Sequence, residues 1–293
     1  MKSRSDSSGI SFTALYTGAV WCRHGLADES LATTQGRLLY ALMTPLEAAS
    51  QRITGGNIRT FLLQRHRIID HLADQAIAAE GITQVLEIGC GLSPRGLRLR
   101  QRHPQLHMVE ADLPDMAARK ASRLMATGHL GPHHQVTPID ILAESGDQTL
   151  EAVVARVFEP ARPVIIITEG LTSYFPLPVI ERFWRRLGAV MAERAGSLYL
   201  SETYLIPPQP LLRASLNACA RVLGRMTSSQ VSFHFESGEA AETHLLRQGF
   251  QQVTAHNPEH FYGRLAIPQS RETPLIRILA ASGPTGLPPA DRV

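Results

Sequence analysis

The chain has 293 residues, 44% hydrophobic and 19% charged, with a formal net charge of +3, which suits one large α/β domain with additions. So small a net charge, with no block of Lys or Arg, argues against a nucleic-acid partner. The three cysteines, Cys22, Cys90 and Cys219, lack the C-x-x-C spacing of a zinc or redox site. The polar start lacks the apolar core of a secretion signal, and no apolar stretch is long enough to span a membrane, so a cytoplasmic protein without a membrane partner is expected.

Residues 1–11 are polar and Ser-rich and read as a disordered tail. From 12 to 80 apolar residues recur at helical spacing, as in Leu38, Leu39, Leu42 and Ile68, Ile69, Leu72, with breaks at Thr44-Pro45 and Gly55-Gly56. Three or more helices are expected there, capping a core that spans 81–281. Strands then alternate with helices: strand 83–88, helix 94–102, strand 106–110, helix 114–126, strand 135–139, helix 148–157, strand 164–168, helix 177–193 and strand 197–201. His133-His134 reads as a loop. Such alternation predicts a doubly wound α/β sheet with ligands at the carboxyl ends of its strands. Residues 205–235 interrupt it with Pro207-Pro208 and the aromatic segment around Phe233, His234 and Phe235, a candidate lid. A helix at 237–248 and a strand at 275–280 follow, and the Pro- and Gly-rich stretch 282–293 reads as a flexible tail.

The centre of the pattern is Val85-Leu-Glu-Ile-Gly-Cys-Gly-Leu-Ser-Pro-Arg-Gly96. A buried strand leads into a turn opened by Gly89 and Gly91, where no Cβ holds a ligand away from the backbone. Pro94 stands where a dinucleotide fingerprint requires its third glycine. S-adenosylmethionine carries no phosphate and needs only the close backbone approach, so this E-x-G-x-G turn favours S-adenosylmethionine over NAD; an NAD-dependent oxidoreductase is the weaker alternative.

Acids stand at successive strand ends: Glu87, then Glu110 and Asp112, then Asp140, then Glu169. An acid after the second strand is the usual partner of a ribose diol, since its two oxygens accept both hydroxyl hydrogens. Asp140 with Ile141 suits an adenine amino group and ring, and Glu169 a methionyl ammonium or the sulfonium charge. Each acid could instead cap the helix after it, and for Asp112 both roles are open.

These stretches, with Val109-Glu-Ala-Asp-Leu-Pro-Asp-Met-Ala-Ala-Arg-Lys120, Ile167-Thr-Glu-Gly-Leu-Thr-Ser-Tyr-Phe175 and Arg65-His-Arg-Ile-Ile-Asp70, resemble the leucine carboxyl methyltransferase family, above all its bacterial O-methyltransferase members. The resemblance runs from about residue 12 to 280. It implies a seven-stranded, Rossmann-like class I methyltransferase sheet with an N-terminal helical cap and a lid after the fifth strand. It also implies S-adenosyl-L-methionine as cofactor and O-methylation of a carboxylate or hydroxyl on a small molecule or peptide terminus. Carried over by position, Arg65 would bind the cofactor's carboxylate, Gly89 and Gly91 would lie under its methionyl part, Asp112 would hold the ribose and Asp140 with Ile141 the adenine. Glu169 and the catalytic candidate Tyr174 would line the transfer site. The stretch from Trp21 to Gly25 departs from the eukaryotic members, so their acceptor, a phosphatase's carboxyl-terminal leucine, does not carry over. An anionic acceptor needs a cation, for which Arg23 and Arg95 are candidates, and a hydroxyl acceptor needs a base, for which the candidates are His24, His66, His234 and His260. Tyr204 and His234 are candidate acceptor contacts. A catalytically inactive, methyltransferase-like binding protein is the other reading.

Overall fold

A computed structural model describes residues 7–27, 31–54, 58–207, 209 and 232–283. Three helices come first: α1 (Ser7–Arg23), α2 (Thr34–Thr54) and α3 (Ile58–Glu80). The alternating core follows as β1 (Gln84–Ile88), α4 (Arg95–Arg102), β2 (His107–Asp112), α5 (Pro114–Ala126), β3 (His134–Pro138), α6 (Leu150–Val157), β4 (Ile165–Thr168), α7 (Leu177–Ala192) and β5 (Leu198–Tyr204). Then come α8 (Gly238–Leu246), β6 (Gln252–His256) and β7 (Ile276–Ser282), with short 3-10 turns at Thr172–Tyr174 and Pro258–Phe261.

The seven strands form one sheet in the order β3-β2-β1-β4-β5-β7-β6. From β3 to β5 all neighbours are parallel, whereas β7 runs antiparallel to both β5 and β6. Alternate residues of each strand face opposite layers. Leu86, Ile88, Val109 and Ala111 pack with Phe183, Trp184 and Leu187 of α7 and Leu150 and Val153 of α6. Val85, Met108, Ile165 and Ile167 pack on the other face with Ile68, Ile69, Leu72 and Ile77 of α3. The same alternation puts Glu87 with Val85, and Glu110 and Asp112 with Met108, so the acids of β1 and β2 share a face with α3 and α4.

Four details differ from the sequence reading. Pro45 lies inside α2 instead of breaking it; a proline removes one helical bond, here to the carbonyl of Ala41, and both residues are exposed where water can replace it. His134 belongs to β3 and is buried, not in a loop. The edge strand β6, short and only partly buried, carries too weak a pattern to be read in advance. Helix α1 begins at Ser7, within the stretch expected as a tail. Of the expected lid, 208 and 210–231 lie outside the described residues, as do 284–293 of the expected tail. The two ends of the insertion meet, with Ile206 N donating to Phe235 O at 2.8 Å and Ser232 N to Ser173 O at 2.6 Å.

Candidate functional site

The glycine turn leaves β1 at φ values of +70° for Gly89 and +46° for Gly91, a region that residues with a Cβ reach only with strain. Gly89 N donates to Ala111 O at 2.8 Å, tying the turn to β2. Asp112 pins it from the side: Oδ2 accepts from Gly91 N at 2.7 Å and Oδ1 from Leu113 N at 2.8 Å. Burial pushes the Asp112 carboxyl up, and those two N–H donors pull it back only in part.

Beneath the turn lies a buried trio that sequence reasoning had not assembled. Lys120 of α5 is fully buried and donates to Ser93 O at 2.9 Å while its ammonium lies 2.5 Å from Glu110 Oε1. His134 Nε2 lies 3.0 Å from Glu110 Oε2. A Cβ on Gly96 would come within 2.6 Å of the Glu110 carboxyl, so α4 approaches β2 this closely because residue 96 has none. Glu110, a strand-end acid in the sequence, thus faces Lys120 and His134, while Asp112 faces the turn.

Above the turn, α1 lies against the loop, with Ala14 3.2 Å from where a Gly91 Cβ would stand and Leu92 3.4 Å from that of Gly18. The same helix stacks Trp21 on His66 of α3 at 4.3 Å between ring centres.

At the carboxyl ends of β4 and β5 the structure gathers a buried cluster of charges. Glu169 Oε1 accepts from Arg65 Nε at 2.9 Å, and its Oε2 lies 2.5 Å from Arg95 Nη2 and 2.8 Å from His66 Nδ1. Arg65 Nη1 also donates to Tyr204 Oη at 2.9 Å and lies 3.5 Å from Glu202 Oε1. Arg95, with no exposed surface, donates to Asp70 at 2.7 Å and to Glu87 at 2.5 Å. Glu202 Oε1 accepts a further bond from Gly170 N at 2.8 Å, while its Oε2 has no hydrogen-bond partner among the described residues.

The electrostatics divide the acids. Burial works against ionised Glu169, but His66, Arg95 and Arg65 outweigh it and hold the carboxyl well below its ordinary value. Burial raises the Glu202 carboxyl, and one distant contact with Arg65 does not offset this beside negatively charged Glu169. Burial likewise pushes the Tyr204 phenol up to about 12.

Of the residues singled out from sequence, Arg65, Glu87, Glu169 and Tyr204 fall in or beside this cluster, and Tyr174 of the 3-10 turn is near enough to act on the charge of Arg65. Gly89, Gly91 and Asp112 form the adjoining turn. Asp140 sits at the rim beyond β3, its Oδ1 accepting from Leu142 N at 2.9 Å, next to buried Ile141. His234 lies apart, at the returning end of the insertion against the backbone of Thr172 and Phe175, and burial lowers its imidazole. Arg23 is exposed at the end of α1, its guanidinium 5.8 Å from the ring centre of Tyr40. Arg95 holds three carboxylates and is an internal tie, not an open seat for an acceptor. Glu202 was missed because its strand was ended at Ser201; the polar alternation Ser201, Thr203 with Glu202 and Tyr204 between them is the only signal, and it is weak.

The model of the leucine carboxyl methyltransferase family matches residues 24–187. A protein of Frankia alni, named as a candidate S-adenosyl-L-methionine-dependent methyltransferase, is 26% identical over 204 residues, covering 66% of this chain and 68% of its own. A Streptomyces avermitilis protein named in the same way is 28% identical over 226 residues, covering 75% of this chain and 76% of its own. Among solved structures, a candidate methyltransferase from Thermobifida fusca superposes with a TM-score of 0.59 at 17% identity, covering 96% of this chain and 99% of its own, a likeness of fold. With the β3-β2-β1-β4-β5-β7-β6 sheet and its glycine turn, these matches place the chain in the leucine carboxyl methyltransferase family, as an S-adenosylmethionine-dependent methyltransferase.

Proposed function

We propose that this methyltransferase acts on oxygen, forming an ester or an ether on a small molecule or a peptide terminus. The observation that supports an oxygen acceptor is membership of the leucine carboxyl methyltransferase family, and the Arg65–Glu169–Glu202–Tyr204 cluster, set at the carboxyl ends of β4 and β5 beside the glycine turn, supports the cofactor side of the reading. When bound, S-adenosylmethionine supplies an electrophilic methyl group and leaves as a neutral thioether. The residues present suit it: a turn without Cβ atoms, a guanidinium for a carboxylate, a strand-end acid for a diol, and buried carboxylates beside that guanidinium for an ammonium. Arg65 would take the α-carboxylate, Asp112 the ribose hydroxyls, and Asp140 with Ile141 the adenine.

What remains for the protein is alignment and exclusion of water. Tyr174 and Tyr204, flanking Arg65, would line the transfer site. The helices before residue 80 and the 205–235 insertion would roof the acceptor pocket, with Arg23 and His234 as candidate contacts. In support, α1 rests on the glycine turn and Ser232 is bonded to Ser173.

The test is transfer from methyl-labelled S-adenosylmethionine to a panel of carboxylic acids, phenols and alcohols, read by product mass. A base-labile label marks an ester and a base-stable one an ether. Label on nitrogen, carbon or sulfur refutes the O-methylation reading, and cofactor binding without transfer to any acceptor favours a non-catalytic protein. Replacing 207–232 with a short Gly/Ser loop should abolish turnover and preserve cofactor binding.

A further inference from the structure

His234 stands apart from the charge cluster, yet it is held at the same end of the sheet. Ser232 N donates to Ser173 O at 2.6 Å and Ile206 N to Phe235 O at 2.8 Å, so the stretch from Ser232 to Phe235 runs past the carboxyl ends of β4 and β5. Within it, the His234 ring donates to the backbone of Thr172 and Phe175, on either side of Ser173 and Tyr174. Its buried Nε2 has no hydrogen-bond partner among the described residues, so those bonds come from Nδ1. An imidazole that donates through Nδ1 is fixed, while neutral, in the tautomer whose Nε2 carries a lone pair. Phe233 before it and Tyr174 and Phe175 across the contact are each only partly buried, which leaves aromatic surface open there.

A buried acceptor without a partner costs free energy that a ligand's donor recovers. A carboxylate acceptor brings lone pairs against the lone pair of Nε2 and needs no base, whereas a hydroxyl brings the O–H that Nε2 lacks. We infer that His234 Nε2 is the general base for an acceptor hydroxyl, and that the hydroxyl belongs to a phenol. The hydroxyl oxygen displaces the neutral thioether from the methyl carbon, the electron pair of the carbon–sulfur bond leaving with sulfur, and the hydroxyl proton passes to Nε2 and on to solvent. Nδ1–H, held by the backbone of Thr172 and Phe175, keeps the ring in place as the charge arrives. A phenol suits this base better than an aliphatic alcohol because its proton is far more acidic, and the open faces of Phe233, Tyr174 and Phe175 suit an aromatic ring. The inference rests on the reading that this methyltransferase acts on oxygen, and it narrows the acceptor.

Burial lowers the His234 imidazole, the charge of His244 lowers it further, and the two backbone bonds offset this only in part. The titratable and charged groups around the ring are His244 of α8, 2.9 Å from Glu181 of α7, with Tyr174 in the turn it binds and exposed Glu236 beyond it. The lone pair is therefore present at neutral pH. Turnover of a phenol rises as pH climbs through the lowered imidazole value and is flat above it.

The test measures kcat/KM for transfer from methyl-labelled S-adenosylmethionine to a set of simple phenols, with benzoic acids and aliphatic alcohols alongside, from about pH 5 to 8. His234→Asn is the variant that separates the two roles of the ring, because the amide of Asn replaces Nδ1–H toward Thr172 and Phe175 and leaves nothing at Nε2. It should lose transfer to phenols roughly a hundredfold to ten-thousandfold, the scale of a general base, and lose the acid limb of the pH profile. Its melting temperature and its affinity for S-adenosylhomocysteine should match those of the wild type. A variant that transfers to phenols as well as the wild type, or that keeps the same acid limb, overturns the inference and leaves His234 as an anchor of the turn. Should the variant fail to fold, the wild type decides, since phenol turnover that does not change with pH across that range overturns the inference. A wild type that labels carboxylic acids or aliphatic alcohols alone overturns the inference and leaves the oxygen reading standing. Label on nitrogen, carbon or sulfur, or on no acceptor, overturns both.

Discussion

Lys120→Met would show how far the glycine turn depends on the ion pair beneath it. The substitution keeps an unbranched chain in a fully buried slot and removes an ammonium 2.5 Å from Glu110 Oε1 and 2.9 Å from Ser93 O. Glu110 is left buried with His134 as its remaining partner. Stripping one member from a buried pair costs about 3–5 kcal/mol, most of it the stranded charge. For a chain of this size that corresponds to a fall in melting temperature on the order of 10 °C. The loss carries a pH signature. In the wild type, burial raises the Glu110 carboxyl, but Lys120 and His134 outweigh it and hold it below its ordinary value, so its contribution is present above the unfolded pKa and lost as pH falls through the folded one. In the variant burial acts without the ammonium and the carboxyl moves up. The gap between the two proteins is therefore widest at neutral pH and closes as Glu110 protonates. Urea unfolding followed by Trp fluorescence at several pH values measures it. A loss under about 1 kcal/mol that is unchanged between acid and neutral pH would refute the reasoning.

Gly89→Ala places a Cβ at φ +70° and 3.3 Å from Leu171, so a stability loss of about 1–2 kcal/mol is expected together with a larger loss of S-adenosylhomocysteine affinity, measured by thermal melts with and without ligand. Asp112→Ala strands the N–H groups of Gly91 and Leu113, so it should cost about 1–3 kcal/mol of stability and also weaken cofactor binding; unchanged affinity would mean that Asp112 only pins the turn.

The sheet was legible because its signals are local. A uniformly apolar run such as Val164 to Ile167 suits a strand covered on both faces, and Pro114 at a helix start marks the beginning of α5. The glycine turn was legible for the same reason, since Gly89, Gly91 and Asp112 are held together by bonds between neighbouring elements. The charge cluster was not. Arg65 meets Glu202 across 137 positions and Glu169 across 104, and no periodicity links residues so far apart. Arg95, a candidate ligand cation in the sequence, is made an internal tie by three carboxylates contributed by α3, β1 and the end of β4. Lys120 stands on an amphipathic helix among exposed residues, and its burial depends on Glu110, which a sequence pattern places only on a strand.

The position of β7 bears on how the chain reaches this state. It lies between β5 and β6 in the sheet, yet it follows both of them in the chain. A nascent polypeptide therefore emerges from the ribosome with Leu198 to Tyr204 unpaired along one side, a strand of high β propensity offering its edge to any passing chain. The same gap holds β6 away from the sheet, because among the described residues its strand pairing is to β7 alone. Closure of that half of the sheet is thus a late event that joins segments distant in sequence, the kind of step that slows folding. Heterologous production should gain most from conditions that protect this open edge, such as slower synthesis or chaperone supply.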